Sequence, residues 1–232
     1  EVEIFGLDHS KNQKEIKNRI AYVGEEHNFY GNKTVAWTGK FISSFFQNWD
    51  INTFQKYLTD FSISRSKKVK DLSKGQRAKF SLALALSHNP ELAILDEPTA
   101  GLDPIIRRTV LDILAKFTED GERSVIISSH LTDDLARIAD LIAFIVDGQI
   151  ILTAAKDDLL SNWKRIHYRN GSLNTKISEA LTCRREQAFG SSGLTRQFPV
   201  LRKDLEEGIE KGDIKIENAN LDDILISLVK GD

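Results

Sequence analysis

Methionine is missing from all 232 residues, and cysteine occurs once, at Cys183. A lone cysteine cannot close an intrachain disulfide and has no Cys neighbour for a metal knuckle, so disulfide-stapled and thiolate-zinc folds are excluded and a reducing cytosol fits. Because translation begins with methionine, its absence leaves two readings: a piece of a longer chain, or modified methionines missing from the sequence. Long apolar runs are also absent. Leu141–Val146, among the longest, falls far short of the roughly 20 residues that a membrane helix needs, and the acidic opening Glu1-Val2-Glu3 does not resemble a secretory or transit signal. No repeat recurs at a fixed period, which argues against a solenoid. Positive charge is in no excess. The 32 Lys and Arg stand against 34 Asp and Glu, a net of −2, so the chain as a whole offers a phosphate backbone no attractive field and nucleic acid is not expected as its partner.

What is present is the composition of an ordinary globular chain, 41% apolar and 28% charged, which excludes fibres and disordered tails. Against a usual domain of about 100 to 200 residues, the length predicts one large domain or one and a half, with a sizeable core.

Val2, Ile4 and Phe5 predict a short opening strand and Ile20–Val23 a second. From Trp37 to Leu58 the period becomes helical, with Phe41, Phe45 and Trp49 four apart, then Phe54 and Leu58. Residues 75–88 read as one helix, apolar most of the way round and therefore buried, ended by Asn89-Pro90. Residues 92–95 are a short apolar run closing on Asp96 and Glu97, as in a strand buried on both faces of a parallel sheet. Asp103-Pro104, a cap and a first-turn proline, opens an amphipathic helix with Ile106, Val110, Ile113, Leu114 and Phe117 on one stripe. Residues 124–129 read as another buried strand, 131–138 as a helix, and Leu141–Val146 as a strand that Asp147-Gly148 turns into a hairpin with 149–153. This alternation predicts an α/β core with a mostly parallel sheet. After Ser161 the pattern loosens. Gly190-Ser191-Ser192-Gly193 reads as an exposed loop, 199–211 as a helix, and Ile214 with Ile216 as a strand. Asn220 is placed to cap a closing helix that carries Leu221, Ile224, Leu225, Leu228 and Val229 on one side.

Four segments carry chemistry: Leu72-Ser73-Lys74-Gly75-Gln76, the run 92–98 ending Asp96-Glu97-Pro98, Gly101-Leu102-Asp103, and Ser128-Ser129-His130. Ser73 and Gly75 stand at a helix start, where unpaired N–H groups and a hydroxyl suit phosphate oxygens; the alternative is a plain helix cap. Asp96 and Glu97 are adjacent acids at the carboxyl end of a strand, where ligands of open α/β sheets bind. One acid can hold Mg²⁺ while the other orients or deprotonates a water; the alternative is an acidic turn. His130 also follows a strand, as a structural residue or as a hydrogen-bond partner for a γ-phosphate and the water attacking it.

In this order and spacing the series resembles the nucleotide-binding subunit of ABC transporters, with the signature motif at 72–76, Walker B at 92–96, the catalytic Glu97, the D-loop at 100–103 and the H-loop His130. The likeness covers residues 1–155, and its style is similar to the single-cassette subunits of bacterial export-type systems. The resemblance implies a P-loop NTPase (RecA-like) α/β fold. Its core would comprise 1–29 and 91–161, with an inserted helical signature subdomain at 30–90 and a small α+β accessory region at 162–232. It implies ATP and Mg²⁺ as cofactors and a head-to-tail dimer, with itself or with a second ABC ATPase, around two ATP molecules. Ser73, Lys74, Gly75 and Gln76 would then serve the partner's nucleotide, Asp96 and Glu25 the metal, Glu97 the attacking water, His130 the γ-phosphate, and Asp103 communication between sites. Integral membrane permease subunits are the implied partners and the inner face of the cell membrane the implied location. Exposed aromatics around Phe29, Tyr30 and Trp37 are candidates for docking them, or else core of the helical subdomain. A soluble ABC ATPase acting on a macromolecule such as the ribosome is the alternative function.

Two departures stand out. The phosphate loop G-x-x-x-x-G-K-[ST] occurs nowhere in the chain and is expected upstream of Glu1, so these residues alone are expected to be inactive. The Q-loop position carries Glu25 instead of Gln, with Glu26 as a competing alignment.

Overall fold

The chain opens on a tight hairpin, β1 (Glu3–Ile4) against β2 (Leu7–Asp8), turned by Phe5 and Gly6 at φ of 55° and 71°. The computed structural model describes residues 2–24, 29–187 and 190–230, in two compact units, Glu1–Leu131 and Thr132–Asp232.

In the first unit α1 (Gln13–Arg19) leads directly into β3 (Ile20–Val23). The helical pattern between Trp37 and Leu58 is carried by two helices, α2 (Val35–Ser43) and α3 (Ile51–Asp60). The break follows from Asp50, whose Oδ1 accepts the Asn52 N–H at 2.8 Å and so starts a new helix. Gly39 lets the two meet, since a Cβ there would collide with the ring of Phe54. A 3₁₀ turn at Val69–Asp71 precedes α4 (Lys74–Leu86), whose Phe80, Leu82 and Ala83 are almost wholly buried, with Phe80 packed beside Val35, Phe54 and Leu58. Then follow β4 (Leu92–Asp96), α5 (Pro104–Phe117) and β5 (Ser124–Ser128).

Strands β3, β4 and β5 form a parallel sheet in that order, with Tyr22 beside Ile94, Ile94 beside Ile126, and Asp96 beside Ser128. The expectation of burial on both faces is corrected. Ala21, Val23, Ala93 and Leu95 are buried on one face, whereas Tyr22 and Ile126 on the other are 65% and 58% exposed. Alternation sends successive side chains to opposite faces, and the described residues cover one of them.

The second unit begins with α6 (Thr132–Ile138) and the hairpin of β6 (Leu141–Val146) and β7 (Gln149–Ala155). Asp147 and Gly148 both have positive φ, as the tight hairpin turn requires. Here too burial alternates: Ile142 and Phe144 are buried, Leu141 and Ile145 exposed. After α7 (Lys156–Asn162) come β8 (Lys164–Tyr168), α8 (Thr175–Glu179), β9 (Thr182–Gln187), β10 (Gly190–Thr195), α9 (Phe198–Glu210), β11 (Ile214–Asn218) and α10 (Leu221–Lys230). The strands make an antiparallel sheet ordered β11-β8-β10-β9.

The glycine-serine run expected as an exposed loop is therefore an inner strand, with Ser192 2% exposed. Small residues are needed there because a Cβ on Gly193 would sit 3.0 Å from that of Leu181, which packs into the core with Ile166, Leu201 and Leu205. Asn220 caps α10, its Oδ1 accepting the Asp223 N–H at 2.7 Å.

Candidate functional site

The parallel register ends β4 and β5 level with one another, placing Asp96 beside Ser128. The Ser128 hydroxyl donates to Asp96 Oδ1 at 2.6 Å and accepts the Glu97 backbone N–H at 3.1 Å. The same N–H reaches the Ser128 carbonyl at 3.2 Å. These contacts hold Glu97 at φ of 49°, a left-handed conformation that costs a non-glycine residue about 1–3 kcal/mol and is found where a site dictates it.

One residue clamps the Glu97 carboxylate. Oε1 accepts the His130 backbone N–H at 2.8 Å, and Oε2 lies 2.8 Å from His130 Nδ1. A carboxylate paired in this way only accepts, so it is His130 Nδ1 that would donate. The His130 side chain is 67% exposed against 22% for Glu97, so the imidazole sits on the open side of the pair. Asp96 keeps its second oxygen, Oδ2, while Ser128 occupies the first. Among the described residues no group of three or more His, Cys, Asp or Glu forms a metal cage. A cation at Asp96 would therefore be held by one carboxylate, with phosphate oxygens and water completing its shell, the arrangement Mg²⁺ favours.

The signature residues form a second cluster at the start of α4. Ser73 Oγ accepts the Gln76 N–H at 3.1 Å, and Gln76 Oε1 accepts the Ser73 N–H at 3.3 Å, a reciprocal capping box. Lys67 Nζ donates to the same Gln76 oxygen at 3.0 Å. The Lys74 ammonium fills the space a side chain on Gly101 would take, and a Cβ on Gly75 would already be in tight contact with Ile106. Gly75 therefore permits close approach of α4 to the start of α5. Asp103 is the cap of α5, its Oδ1 accepting the N–H groups of Ile105 and Ile106 at 3.1 Å each.

Of the residues singled out in the sequence, Asp96, Glu97 and His130 come together, and Ser73, Lys74, Gly75 and Gln76 gather beside the loop that leads to Asp103. Glu25 and Glu26 lie outside the described residues. Phe29 packs on Phe80 with ring centroids 5.4 Å apart, so it belongs to the core, while Tyr30 is 62% exposed. Sequence reasoning passed over Ser128 as a positioning residue. Its role depends on cross-strand register, for which the sequence carries no signal beyond proximity to His130.

An acid pair and a histidine at the carboxyl ends of neighbouring parallel strands, with a capped helix start nearby, are consistent with the α/β fold of P-loop ATPases. Residues 1–100 match the family described as ABC transporter. The ABC transporter ATP-binding protein YtrB of Bacillus subtilis is 27% identical over 161 residues, 69% of this chain and 55% of that protein. The bacitracin transport ATP-binding protein BcrA of Bacillus licheniformis is 26% identical over 243 residues, 100% of this chain and 79% of that protein. A solved structure titled as the ATP binding subunit of an ABC transporter shares the fold, with a TM-score of 0.61 and 21% identity over 68% of each chain. These likenesses support an ABC transporter nucleotide-binding domain. No helix of the described residues is long and apolar enough to cross a membrane.

Proposed function

We propose that the intact protein is an ATP-hydrolysing subunit that dimerises around ATP and drives separate membrane permease subunits in the export direction, at the inner face of the cell membrane. The observation that carries this reading is the clamp at the end of β4. There Asp96 and Glu97 follow one another on the chain but have different partners, Ser128 for the first and His130 for the second.

Asp96 would hold Mg²⁺ and Glu97 the attacking water, whose proton its carboxylate accepts. His130, held through Nδ1, would offer Nε2 to the γ-phosphate. Bound ATP supplies the phosphoryl group and Mg²⁺ offsets its charge. Ser73, Lys74, Gly75 and Gln76 would serve the nucleotide of the second copy, with Asp103 between the two sites. The phosphate loop would be supplied from upstream of Glu1, and without it these residues would be inactive. Glu25 would add an oxygen at the metal.

Two relatives support this reading: BcrA is a bacitracin transport ATP-binding protein, and YtrB an ABC transporter ATP-binding protein. The alternative, an ATPase acting on the ribosome, predicts a different activator. ATP hydrolysis by the full-length protein is expected to rise with co-purified permease subunits and not with ribosomes; the opposite pattern would reject the transport role. Tyr30→Ala is expected to uncouple transport from ATP turnover, and unchanged transport would remove Tyr30 from the docking surface.

A further inference from the structure

The start of α4 has a contact that its cap does not require. Gln76 Oε1 accepts the Ser73 N–H at 3.3 Å and so completes the capping box. The same oxygen accepts Lys67 Nζ at 3.0 Å. Lys67 lies outside the signature motif, in the stretch that leads into it, and its backbone is held on both sides. Its N–H reaches the Ser64 carbonyl at 3.2 Å, and its carbonyl accepts the Val35 N–H at 3.0 Å. Arg65, Ser66, Lys68 and Lys70 around it are exposed, whereas Lys67 is half-buried. Helix stability does not explain this ammonium, because a cation near a helix N-terminus opposes the helix dipole.

The contact settles which way the Gln76 amide faces. The two ends of a carboxamide have nearly the same shape, so their hydrogen-bond partners choose between them. The backbone contact is long for N–H···O, whereas the Lys67 contact is charge-assisted and the stronger of the two. Both partners are donors, so Oε1 faces them and Nε2 turns its two N–H groups the other way. Those N–H groups have no acceptor among the described residues, and neither has the Ser73 O–H, whose oxygen takes the Gln76 N–H. The N–H groups of Lys74 and Gly75, in the first turn, have no acceptor within the helix either. Each of these free groups is a donor.

We propose that Lys67 is a positioning residue for nucleotide: by holding Gln76 Oε1 it aims the Gln76 N–H groups at the acceptor oxygens of the ATP bound by the second copy. Phosphate oxygens only accept, so a cluster of donors matches them, and a flipped amide would set oxygen against oxygen. The inference rests on the split site proposed above and adds to it a residue from outside the motif. Its rival is a direct pull of the Lys67 charge on the phosphates, with no part for Gln76.

Lys67→Met, Gln76→Met and the double variant of the full-length protein separate the two in paired measurements. In urea without nucleotide, the two changes are expected to be non-additive, with a coupling of about two- to tenfold in the folding equilibrium constant, the usual contribution of one hydrogen bond. In ATP hydrolysis, Lys67→Met is expected to raise KM about two- to tenfold with kcat nearly unchanged, because it lowers the fraction of Gln76 that faces the ligand correctly. The same change in the Gln76→Met background should raise KM no further. Lys67→Arg, which keeps a donor, should recover most of the affinity. Additive effects in urea, an unchanged KM in Lys67→Met, or an equal rise in KM in both backgrounds overturns the proposal, the last by showing that the charge acts on the nucleotide by itself. Absence of ATP turnover in the wild type would refute the ATPase reading and the ligand named here together, while the urea coupling would still report the contact.

Discussion

The two clusters on the first unit are held in different ways. At the ends of β4 and β5, the hydrogen bonds go to the proposed reactive groups: Ser128 steadies Asp96 and the Glu97 backbone, and His130 grips both carboxylate oxygens of Glu97. At the start of α4, the polar atoms of Ser73 and Gln76 satisfy the helix itself. On the proposed reading the first cluster serves chemistry, and it carries a left-handed Glu97. The second is organised for stability, and a ligand must compete with, or complement, a cap that is already complete. A change in the first should therefore disturb catalysis more than folding, and a change in the second should disturb both.

The largest effect is expected from Glu97→Gln, which keeps the shape and removes the proposed base. Phosphate release by the full-length protein should fall by about 10²–10⁴-fold, the usual worth of a general base, while thermal unfolding stays nearly unchanged. The same variant should persist as an ATP-bound dimer in gel filtration. A large fall in melting temperature would instead place Glu97 in the stability cluster.

Ser128→Ala should come next. Hydrogen bonds to charged groups contribute about 1.5–3 kcal/mol, so kcat is expected to drop by about tenfold or more with little change in KM. Ser128→Thr, which retains the hydroxyl, should restore most of the rate. Equal loss in both variants would point to packing.

At the other cluster, Ser73→Ala removes the cap acceptor and should lower the urea stability by about 1 kcal/mol. Unchanged stability would erase the contrast between the two regions.

A smaller effect concerns the join between α4 and the sheet. His88, 1% exposed, lies with Nε2 3.0 Å from the Ile20 carbonyl, and its ring stacks on Phe46 at 4.0 Å. Burial pushes its pKa below the ordinary histidine value, against a smaller opposing pull from the Ile20 carbonyl. The unfolded chain therefore binds this proton more readily than the folded one. The stability that neutral His88 provides is fully present above about pH 6.5, the ordinary value, and is lost as pH falls through the depressed folded value. The urea midpoint should decline on acidification below neutrality, and His88→Gln should flatten that decline. An identical slope in the variant would assign the acid sensitivity elsewhere.

Much of this was legible in the sequence because it is local. The acids at the end of an apolar run, the Asp103-Pro104 helix start and the Asn220 cap are patterns of neighbouring residues, and each forms as expected. What escaped depends on partners distant along the chain. Ser128 acquires its role from the register of β5 against β4. The run 190–193 is a strand because Leu181 packs where a larger side chain on Gly193 would stand, although glycine and serine by themselves favour a loop. The open face carrying Tyr22 and Ile126 was misread because an apolar strand does not reveal whether one or both of its sides are covered.

The proposed split reaction centre is tested most directly by mixing two inactive full-length variants, Glu97→Gln and Ser73→Arg. If each site combines the acid pair of one copy with the signature helix of the other, a mixed dimer contains one intact site, and the mixture should recover ATP hydrolysis that neither variant has alone. A mixture that forms dimers yet remains as inactive as its components would contradict the account.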